Sequence, residues 1–308
     1  MSRVFKSFAD LIGNTPLVEL GNLKNKLGLK ANIFAKLEFL NPAGSVKDRV
    51  ALSMITDAEQ KGLLQKGGTV IEATSGNTGI GLAAVCTAKG YNCIIVMPDS
   101  MSVERIKIIE SFGAKVILTE GKYGMSGAIE KAEEIKAQTE NSIIAGQFYN
   151  PANPKAHFET TGPEIFADLD GKVDMLVCGV GSGGTISGTG KYLKSKIADI
   201  KVIAVEPESS PVLTKGVSGA HKIQGIGANF VPENLDRDIY DTVLTVSDDD
   251  AFNYARLICK TEGLSVGISA GAALSAAVSL AKESDAEGKN IVVIFPDTAS
   301  RYLSTELF

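Results

Sequence analysis

The sequence predicts an α/β fold: two open, mainly parallel α/β units with the active site in the cleft between them. Segments typical of strands alternate with segments typical of helices along most of the 308 residues, which is the pattern of parallel sheets joined by helical crossovers. The strands recur roughly every 20 to 25 residues, a spacing that suits βαβ units. The segment 147–163 contains three prolines and few apolar positions, so it is the predicted boundary between the units.

This boundary defines the expected domains. A smaller N-terminal unit covers 41–146, and a larger unit combines 1–40 with 147–308. Two such units facing each other would gather their strand-end loops around a shared cleft, which is where open α/β sheets bind ligands.

Short runs rich in valine and isoleucine predict the strands. The run 93–97 should end at Pro98, because proline cannot donate to a sheet ladder. The first two runs could join either sheet on their pattern alone and are assigned to the larger unit. In chain order the predicted strands are 17–20, 33–37, 70–73, 93–97, 115–118, 142–145, 175–178, 202–205 and 291–295.

Apolar residues at three- and four-residue spacing predict helices between these strands. In the smaller unit the predicted helices are 78–89, 103–112 and 125–139. Each one connects two predicted strands, as a crossover in a parallel sheet must.

Composition excludes several functional classes. A net charge of −5 gives no electrostatic basis for binding nucleic acid or an anionic membrane. The most apolar stretch, 266–281, is mostly alanine, glycine and serine, and the N-terminus lacks an apolar signal segment. Two histidines argue against a histidine-rich metal site. Four scattered cysteines predict buried, reduced thiols in a cytoplasmic protein.

Lys47 lies in the most informative motif of the chain. Ser45, followed three residues later by Asp48 and then by an apolar-periodic run, predicts a capping box at a helix start. Lys47 then falls in the first helical turn, where the positive end of the helix dipole disfavours a cation. A neutral amine is the nucleophile that Schiff-base chemistry needs. Taken alone, the motif favours a surface lysine beside a helix cap, and the other motifs of the chain shift the balance.

A second motif is the loop 74–79, called here the carboxylate loop. Its sequence, Thr-Ser-Gly-Asn-Thr-Gly, lies between a predicted strand and a predicted helix. Such a loop presents backbone N–H groups and hydroxyls at a helix N-terminus, a natural site for a carboxylate or a phosphate. The alternative is a tight glycine-rich turn that binds nothing, and the density of side-chain donors favours binding.

A third motif is the segment 181–185, called here the phosphate cup. With Gly179 it completes a G-x-G-x-x-G pattern between a predicted strand and a helix, and Glu206 ends the next predicted strand. This pattern is the dinucleotide fingerprint with its ribose-binding acid, so an NAD-dependent oxidoreductase is a rival. The dense N–H and hydroxyl groups suit a single phosphate as well, and Pro207 interrupts the usual path to a ribose. Pattern alone leaves the two interpretations close to even.

Three other residues are ambiguous locally. Ser269 occupies a natural N-cap position of a small-residue helix. Gln147 ends a predicted strand beside the boundary, and His157 is expected to be structural. The lysine, phosphate cup and carboxylate loop together would hold an aldehyde cofactor with one phosphate, plus an amino acid bound as its imine. Pyridoxal 5′-phosphate fits that description, and a nicotinamide enzyme has no need for Lys47.

Motifs along nearly the whole chain also carry a family resemblance; they are 12–17, 41–49, 74–79, 150–154, 160–165, 181–185, 223–227 and 301–304. Together they resemble the cysteine synthase (O-acetylserine sulfhydrylase) family of fold type II, tryptophan synthase β-like, pyridoxal phosphate enzymes. The resemblance implies a catalytic region at 7–298. The lysine and phosphate motifs are shared by the wider superfamily. The segments 160–165 and 223–227 are narrower and favour cysteine synthase over dehydratases.

The resemblance implies a role for each candidate residue. Lys47 would be catalytic and hold the cofactor, Asn77 would contact the cofactor's 3′-oxygen, and Ser269 its ring nitrogen. Ala270 departs from the family, in which relatives often repeat serine, but Ser269 keeps the hydroxyl. No metal is expected. The remaining contacts are those of Gly181, Ser182, Gly183, Gly184 and Thr185 with the phosphate, and of Thr74, Ser75, Thr78 and Gln147 with the substrate carboxylate.

The implied reaction is a ping-pong β-replacement. It converts O-acetyl-L-serine and sulfide to L-cysteine and acetate through an α-aminoacrylate intermediate, with Lys47 as the base. The alternatives are a related pyridoxal phosphate lyase or synthase (cystathionine β-synthase, serine dehydratase or O-phosphoserine sulfhydrylase) and, less favoured, the NAD-dependent oxidoreductase. The resemblance further implies a cytoplasmic homodimer whose active site accepts the C-terminal tail of serine acetyltransferase.

Overall fold

The computed structural model describes residues 4–308, which contain ten strands and eleven α-helices. None of these helices has the length and apolar character needed to cross a bilayer. The strands are β1 (Leu17–Glu19), β2 (Asn32–Leu37), β3 (Thr69–Ala73), β4 (Asn92–Pro98), β5 (Lys115–Thr119), β6 (Ser142–Ile144), β7 (Met175–Gly179), β8 (Lys201–Pro207), β9 (Thr242–Val246) and β10 (Asn290–Phe295). The α-helices are α1 (Gly21–Leu27), α2 (Lys47–Gln60), α3 (Asn77–Lys89), α4 (Val103–Ser111), α5 (Gly124–Gln138), α6 (Ala152–Ala156), α7 (Gly162–Asp168), α8 (Gly184–Lys196), α9 (Val212–Lys215), α10 (Asp248–Glu262) and α11 (Ile268–Ala281). A π-helical turn, His157–Thr161, joins α6 to α7.

All nine predicted strands are present, with ends within two residues of those expected, and β9 is an additional strand. The expected stop before Pro98 was wrong, because Pro98 is itself the last residue of β4 and pairs with Thr119. The next residue, Asp99, donates its N–H to the Thr119 carbonyl oxygen at 2.9 Å. A strand can therefore end on a proline without losing a ladder bond.

Unit 1 consists of the described residues up to Ile12 together with Asn41–Asn153. Its four strands are parallel, in the order β5-β4-β3-β6. Successive residues of a strand point to opposite faces, and in β3 Val70 joins a core with α2 and α3 while Ile71 joins a second core with α5. Helices thus cover both faces of the sheet, as a parallel sheet requires.

Unit 1 differs from the expected range 41–146 because it continues to Asn153 and also includes the described residues up to Ile12. Phe8 and Ile12 pack against its core, and Ala152 is buried within that core. These apolar contacts place the N-terminal segment and residues 147–153 in unit 1.

Unit 2 consists of Gly13–Leu40 and Pro154–Phe308. Its six strands have the order β1-β2-β10-β7-β8-β9, and only β1 pairs antiparallel. In the central strand β10, Val293 joins the core formed with α10 and α11, whereas Val292 joins the core formed with α7 and α8. This sheet is also covered on both faces.

A buried lysine of β2 in unit 2 forms an ion pair with α7. Lys36 is fully buried, and its Nζ lies 2.8 Å from a carboxylate oxygen of Glu164 and 2.5 Å from the carbonyl oxygen of Thr15. The other carboxylate oxygen of Glu164 accepts the N–H of Asn14 at 2.9 Å. The lysine charge is therefore compensated by a carboxylate that is itself hydrogen-bonded, the condition under which a buried charge is tolerated.

We expect Lys36→Ala to lower the free energy of unfolding by about 3 kcal/mol, because it leaves the Glu164 carboxylate without its cation. Urea denaturation checks this value. Lys122→Ala is the control, since Lys122 pairs with Glu120 at the surface with both side chains mostly exposed, and such pairs contribute little. Equal stability of Lys36→Ala and the wild type would contradict the assigned role of the buried pair.

Candidate active site

Lys47 is the first residue of α2, so the predicted position in the first helical turn is confirmed. The predicted capping box is wrong in its pairing. The Ser45 hydroxyl accepts the N–H of Lys47 at 3.2 Å, and the Asp48 carboxylate accepts the N–H of Ala43 at 2.6 Å. A turn precedes the helix, and in this turn the N–H of Asp48 donates to the Ser45 carbonyl oxygen. A capping box would need that N–H to donate to the Ser45 hydroxyl. The Lys47 side chain is half-buried.

Helix α3 packs directly on the backbone of Lys47. A Cβ atom added to Gly81 would lie 3.0 Å from the Lys47 carbonyl oxygen and 3.3 Å from the Asp48 nitrogen. The absence of a side chain at Gly81 therefore allows the two helices to approach at this point, and the approach fixes the position from which the lysine side chain extends.

The carboxylate loop connects β3 to α3, and α3 begins at Asn77. Within the loop, the Thr74 hydroxyl accepts the N–H of Gly76 at 3.2 Å. From α4, the Arg105 guanidinium donates to the Ser75 carbonyl oxygen at 2.8 Å. Both hydrogen bonds hold the backbone of the loop. Sequence reasoning missed Arg105, since an arginine in an amphipathic helix gives no local signal of such a contact.

Two predicted substrate residues contact each other. The buried Thr78 hydroxyl donates to the Oε1 atom of the buried Gln147 at 2.6 Å. Gln147 follows β6, and the amide of Asn153 donates to its carbonyl oxygen at 2.7 Å. A hydrogen bond between these two side chains thus connects the first turn of α3 to the turn that follows β6.

Glu72 is a buried carboxylate beneath this pair. It lies on β3, and its two oxygens accept the N–H groups of Gly146 at 2.7 Å and Gln147 at 3.2 Å. Burial raises the pKa of Glu72 to about 7, and the hydrogen bonds from Gly146 and Gln147 partly offset that rise. Sequence reasoning missed Glu72, although an acidic residue inside an apolar strand is a signal that could have found it.

The phosphate cup connects β7 to α8. Gly183 has a left-handed φ of 81°, and a Cβ atom there would lie 2.7 Å from the Cβ of Leu235. A Cβ atom on Gly181 would collide with the carbonyl oxygen of Gly225. The first-turn N–H groups of a helix have no carbonyl partner within the helix, so the cup presents such groups together with the side chains of Ser182 and Thr185.

His157 holds one hydroxyl of the phosphate cup. Its ring is fully buried, with Nδ1 2.9 Å from the Thr161 hydroxyl and Nε2 3.2 Å from the Thr185 hydroxyl. The expectation of a satisfied structural histidine is confirmed by these two contacts. The ring also fixes the orientation of the Thr185 side chain, which sequence reasoning did not foresee.

Ser269 is the second residue of α11, and Gly267 is the N-cap. The expected N-cap position of Ser269 was therefore wrong. The cap cannot carry a side chain, because a Cβ atom on Gly267 would collide with the Asp297 carboxylate. The buried Ser269 hydroxyl lies close to Gly225, where an added Cβ atom would be 3.5 Å from it. Gly225 thus lies between Ser269 and the Gly181 end of the cup.

Glu206 does not match the dinucleotide interpretation. Its buried carboxylate accepts the N–H of Leu213 at 2.7 Å, the N–H of Thr214 at 3.1 Å and the Thr214 hydroxyl at 2.6 Å. Both oxygens are engaged within unit 2, whereas a ribose-binding acid must face its ligand. Strand β8 also continues through Pro207, which does not interrupt it as expected.

The twelve predicted site residues are divided equally between the units. Among the described residues there is no cluster of histidine, cysteine and acidic side chains suited to a metal ion. Unit 1 contains Lys47, Thr74, Ser75, Asn77, Thr78 and Gln147, and unit 2 contains Gly181, Ser182, Gly183, Gly184, Thr185 and Ser269.

Comparison with known proteins identifies the family. The family model described as pyridoxal-phosphate dependent enzyme matches residues 8–297. The chain belongs to this pyridoxal-phosphate dependent enzyme family. It is 51% identical to a cysteine synthase from Buchnera aphidicola subsp. Schizaphis graminum, over 100% of this chain and 97% of the relative.

Two solved structures of family members are also similar over the whole chain. One is cysteine synthase (OASS) from Entamoeba histolytica, with a TM-score of 0.96, 44% identity, and coverage of 100% of this chain and 91% of that one. The other is a hydrogen sulfide-producing enzyme from Fusobacterium nucleatum, with a TM-score of 0.93, 48% identity, and coverage of 97% and 100%.

The residues present fit the family's cofactor. The phosphate cup is kept clear of side chains at Gly181 and Gly183, where close packing excludes a Cβ atom, and such a concave run of N–H groups suits one phosphate. Lys47 supplies a half-buried amine in unit 1. We therefore expect the cup to bind the phosphate and the lysine to bind the aldehyde.

We expect Gly181→Ala to weaken pyridoxal phosphate binding by about tenfold, because the new methyl group displaces the Gly225 segment and distorts the cup. Titration of cofactor-free protein with pyridoxal phosphate, followed by visible absorbance, measures this. Gly21→Ala is the control, since no atom lies within 4 Å of a Cβ atom added there. An unchanged affinity of Gly181→Ala for pyridoxal phosphate would show that packing against Gly225 does not determine the shape of the phosphate cup.

Proposed function

We propose that this chain is a cysteine synthase that converts O-acetyl-L-serine and sulfide to L-cysteine and acetate. The observation that carries this proposal is the 51% identity, over the full chain, with an enzyme named cysteine synthase. The lysine at the start of α2 and the glycine-rich cup at the start of α8 support it.

Lys47 has two tasks in this proposal. When bound, pyridoxal phosphate supplies an aldehyde that takes up the substrate's amino group and a ring that withdraws electrons from its Cα. The Nζ atom of Lys47 holds the aldehyde carbon between turnovers. Once displaced by the substrate's amino group, the neutral amine removes the Cα proton and returns a proton there after sulfide has replaced acetate at Cβ.

The carboxylate loop and Gln147 bind the substrate's carboxylate. Thr74, Ser75 and Thr78 bring hydroxyls and N–H groups to the start of α3, where the helix dipole favours an anion. The hydrogen bond between Thr78 and Gln147 links this loop to the turn after β6. Hydrogen bonds within the protein therefore already fix the positions of the donors that bind the substrate.

The other predicted residues hold the cofactor. The phosphate cup binds the phosphate, with Thr185 oriented by His157. Asn77 contacts the ring's 3′-oxygen and Ser269 its nitrogen. A neutral hydroxyl at that nitrogen favours an unprotonated ring, which limits electron withdrawal and suits rapid elimination at Cβ.

We expect Lys47→Ala to lower the rate of cysteine formation at least about a hundredfold, because it removes both the covalent partner and the base. The assay is cysteine formed from O-acetylserine and sulfide. Lys61→Ala is the matched control, because Lys61 follows the other end of α2 and pairs with Asp57 at the surface. Near-normal cysteine synthesis by Lys47→Ala would refute the assignment of Lys47.

A second candidate function is hydrogen sulfide production. It is favoured by the 48% identity with the Fusobacterium nucleatum enzyme of that description. The two functions are distinguished by comparing cysteine formed from O-acetylserine and sulfide with sulfide released from L-cysteine. Parallel assays with O-phosphoserine, serine, and homocysteine plus serine distinguish the related sulfhydrylase, dehydratase and cystathionine β-synthase activities.

The proposal extends to assembly and a partner. A cytoplasmic homodimer agrees with the family resemblance and with the charge and composition of the chain, and light scattering measures the oligomeric state. The carboxylate loop, which is proposed to bind a free α-carboxylate, also suits the C-terminal carboxylate of a serine acetyltransferase tail.

We expect a short peptide with a free C-terminal isoleucine to inhibit competitively with O-acetylserine, because both place a carboxylate on the same donors. The same peptide with an amidated C-terminus has lost that charge and should not inhibit. Initial-rate inhibition constants for the two peptides check this. Equal inhibition by both would exclude the carboxylate loop as the anchor.

A further inference from the structure

The turn that carries Gln147 is anchored on an ionisable group in unit 1. Glu72 is 3% exposed, and its oxygens each accept one backbone N–H, from Gly146 and from Gln147. Charge-assisted bonds of this kind are stronger than bonds between neutral groups. The position of the Gln147 backbone therefore depends on the Glu72 carboxylate.

The side chain of Gln147 is held by Thr78. Its Oε1 atom accepts from the buried Thr78 hydroxyl at 2.6 Å. The backbone N–H of the same residue donates to Glu72, so the Gln147 carboxamide reaches Thr78 from a backbone that the Glu72 carboxylate anchors.

The rest of the turn keeps Gln147 in this place. Gly146 has a left-handed φ of 71°, and a Cβ atom there would lie 2.5 Å from the ring of Tyr149. The Asn150 amide donates to the Ala145 carbonyl oxygen at 2.8 Å. The backbone conformation is thus set by sterics and hydrogen bonds, and Glu72 supplies the charged acceptor for two of its N–H groups.

We propose that Glu72 is a positioning residue for the substrate's carboxylate: it anchors the turn from which the Gln147 carboxamide extends, and it does so fully only when ionised. This inference rests on the proposed function and adds to it a residue that does not itself touch substrate. Two backbone N–H groups each donate to a different oxygen of Glu72, and a protonated acid would replace one of these acceptors with a hydroxyl donor. Protonation must therefore give up part of the arrangement.

The ionisation of Glu72 falls in a range that assays can reach. Burial raises its pKa to about 7, so the carboxylate forms as the pH rises through neutrality. Glu72 lies two residues after Val70 on β3 and therefore points to the same face of the sheet, which α2 and α3 cover. The buried charged side chains of α2 are Asp48 and Arg49, and β6 has no titratable side chain. On β4 the Cys93 thiol interacts electrostatically with Glu72, and a hydrogen bond to Cys86 of α3, burial and nearby charge hold the pKa of Cys93 well above its usual value. The Cys93 thiol therefore stays neutral where Glu72 titrates.

The test compares Glu72→Gln with Glu206→Gln. Glutamine has the shape of the protonated acid but cannot ionise. Glu206 is the matched control, because it is also a buried carboxylate, 2% exposed, that accepts two backbone N–H groups, and it lies in unit 2. The readouts are the KM for O-acetylserine, the KM for sulfide, and calorimetric binding of L-alanine, an amino acid without a leaving group.

At a pH of about 8.5, Glu72→Gln should raise the KM for O-acetylserine and the Kd for L-alanine about tenfold, the effect of one lost hydrogen bond. The KM for sulfide and the cofactor content should stay unchanged. The ratio of variant to wild-type KM should approach one near pH 6, where Glu72 is mostly protonated. Because titration of the substrate changes both KM values by the same factor, it cancels in this ratio. A merely structural role would lower the melting temperature without this pH dependence.

Gln147→Ala provides the second comparison. If Glu72 acts through Gln147, adding Glu72→Gln to Gln147→Ala should leave the KM for O-acetylserine unchanged. A full further effect in that background would overturn the inference, as would equal KM values for Glu72→Gln and the wild type at every pH. A wild type that forms no cysteine would instead overturn the proposed function and, with it, the inference.

Discussion

The candidate site depends on one constraint, the contact of backbone with backbone where helices begin. At Gly81 a helix rests on the carbonyl oxygen of Lys47, and at Gly181 the phosphate cup rests on that of Gly225. At the start of α11, Gly267 leaves room instead for the side-chain carboxylate of Asp297. A methyl group is too large at each point, and interiors packed this closely transmit small displacements. Within each unit, close contacts of the backbone therefore fix the positions from which the reactive side chains extend.

Three glutamates, of which Glu72 and Glu206 are buried and Glu164 is partly buried, are accommodated in different ways. Glu164 faces the ammonium of Lys36, an ion pair that cancels charge locally. Glu206 faces backbone N–H groups at the start of a short helix and serves the fold. Glu72 also faces N–H groups, but burial raises its pKa to about 7. The same side chain thus pairs with a lysine, anchors the start of a helix or anchors a turn, according to what surrounds it.

Much of the fold could be predicted from the sequence because parallel strands buried on both faces are nearly continuous apolar runs, such as 291–295. The strand β9 escaped because Thr242 and Thr245 interrupt a short apolar run at the edge of a sheet, which weakens the pattern. The candidate residues could be found because lysine, glycine and hydroxyl residues occur together in short motifs. An acidic residue inside an apolar strand marks Glu72 as unusual, but its role depends on a turn more than seventy positions away, and pairings of that kind carry no local signal.

The strand order of unit 2 has a consequence for the synthesis of the chain. Strand β2 leaves the ribosome early, yet one of its two neighbours is β10, at 290–295. The other neighbour is the three-residue β1, so β2 must wait for almost the entire chain before its parallel partner arrives. Unit 1 is complete once Asn153 has emerged, and domains generally fold in order of synthesis. The nascent chain therefore carries β2 without its parallel partner for most of translation, and an open strand edge of this kind favours aggregation before synthesis is complete.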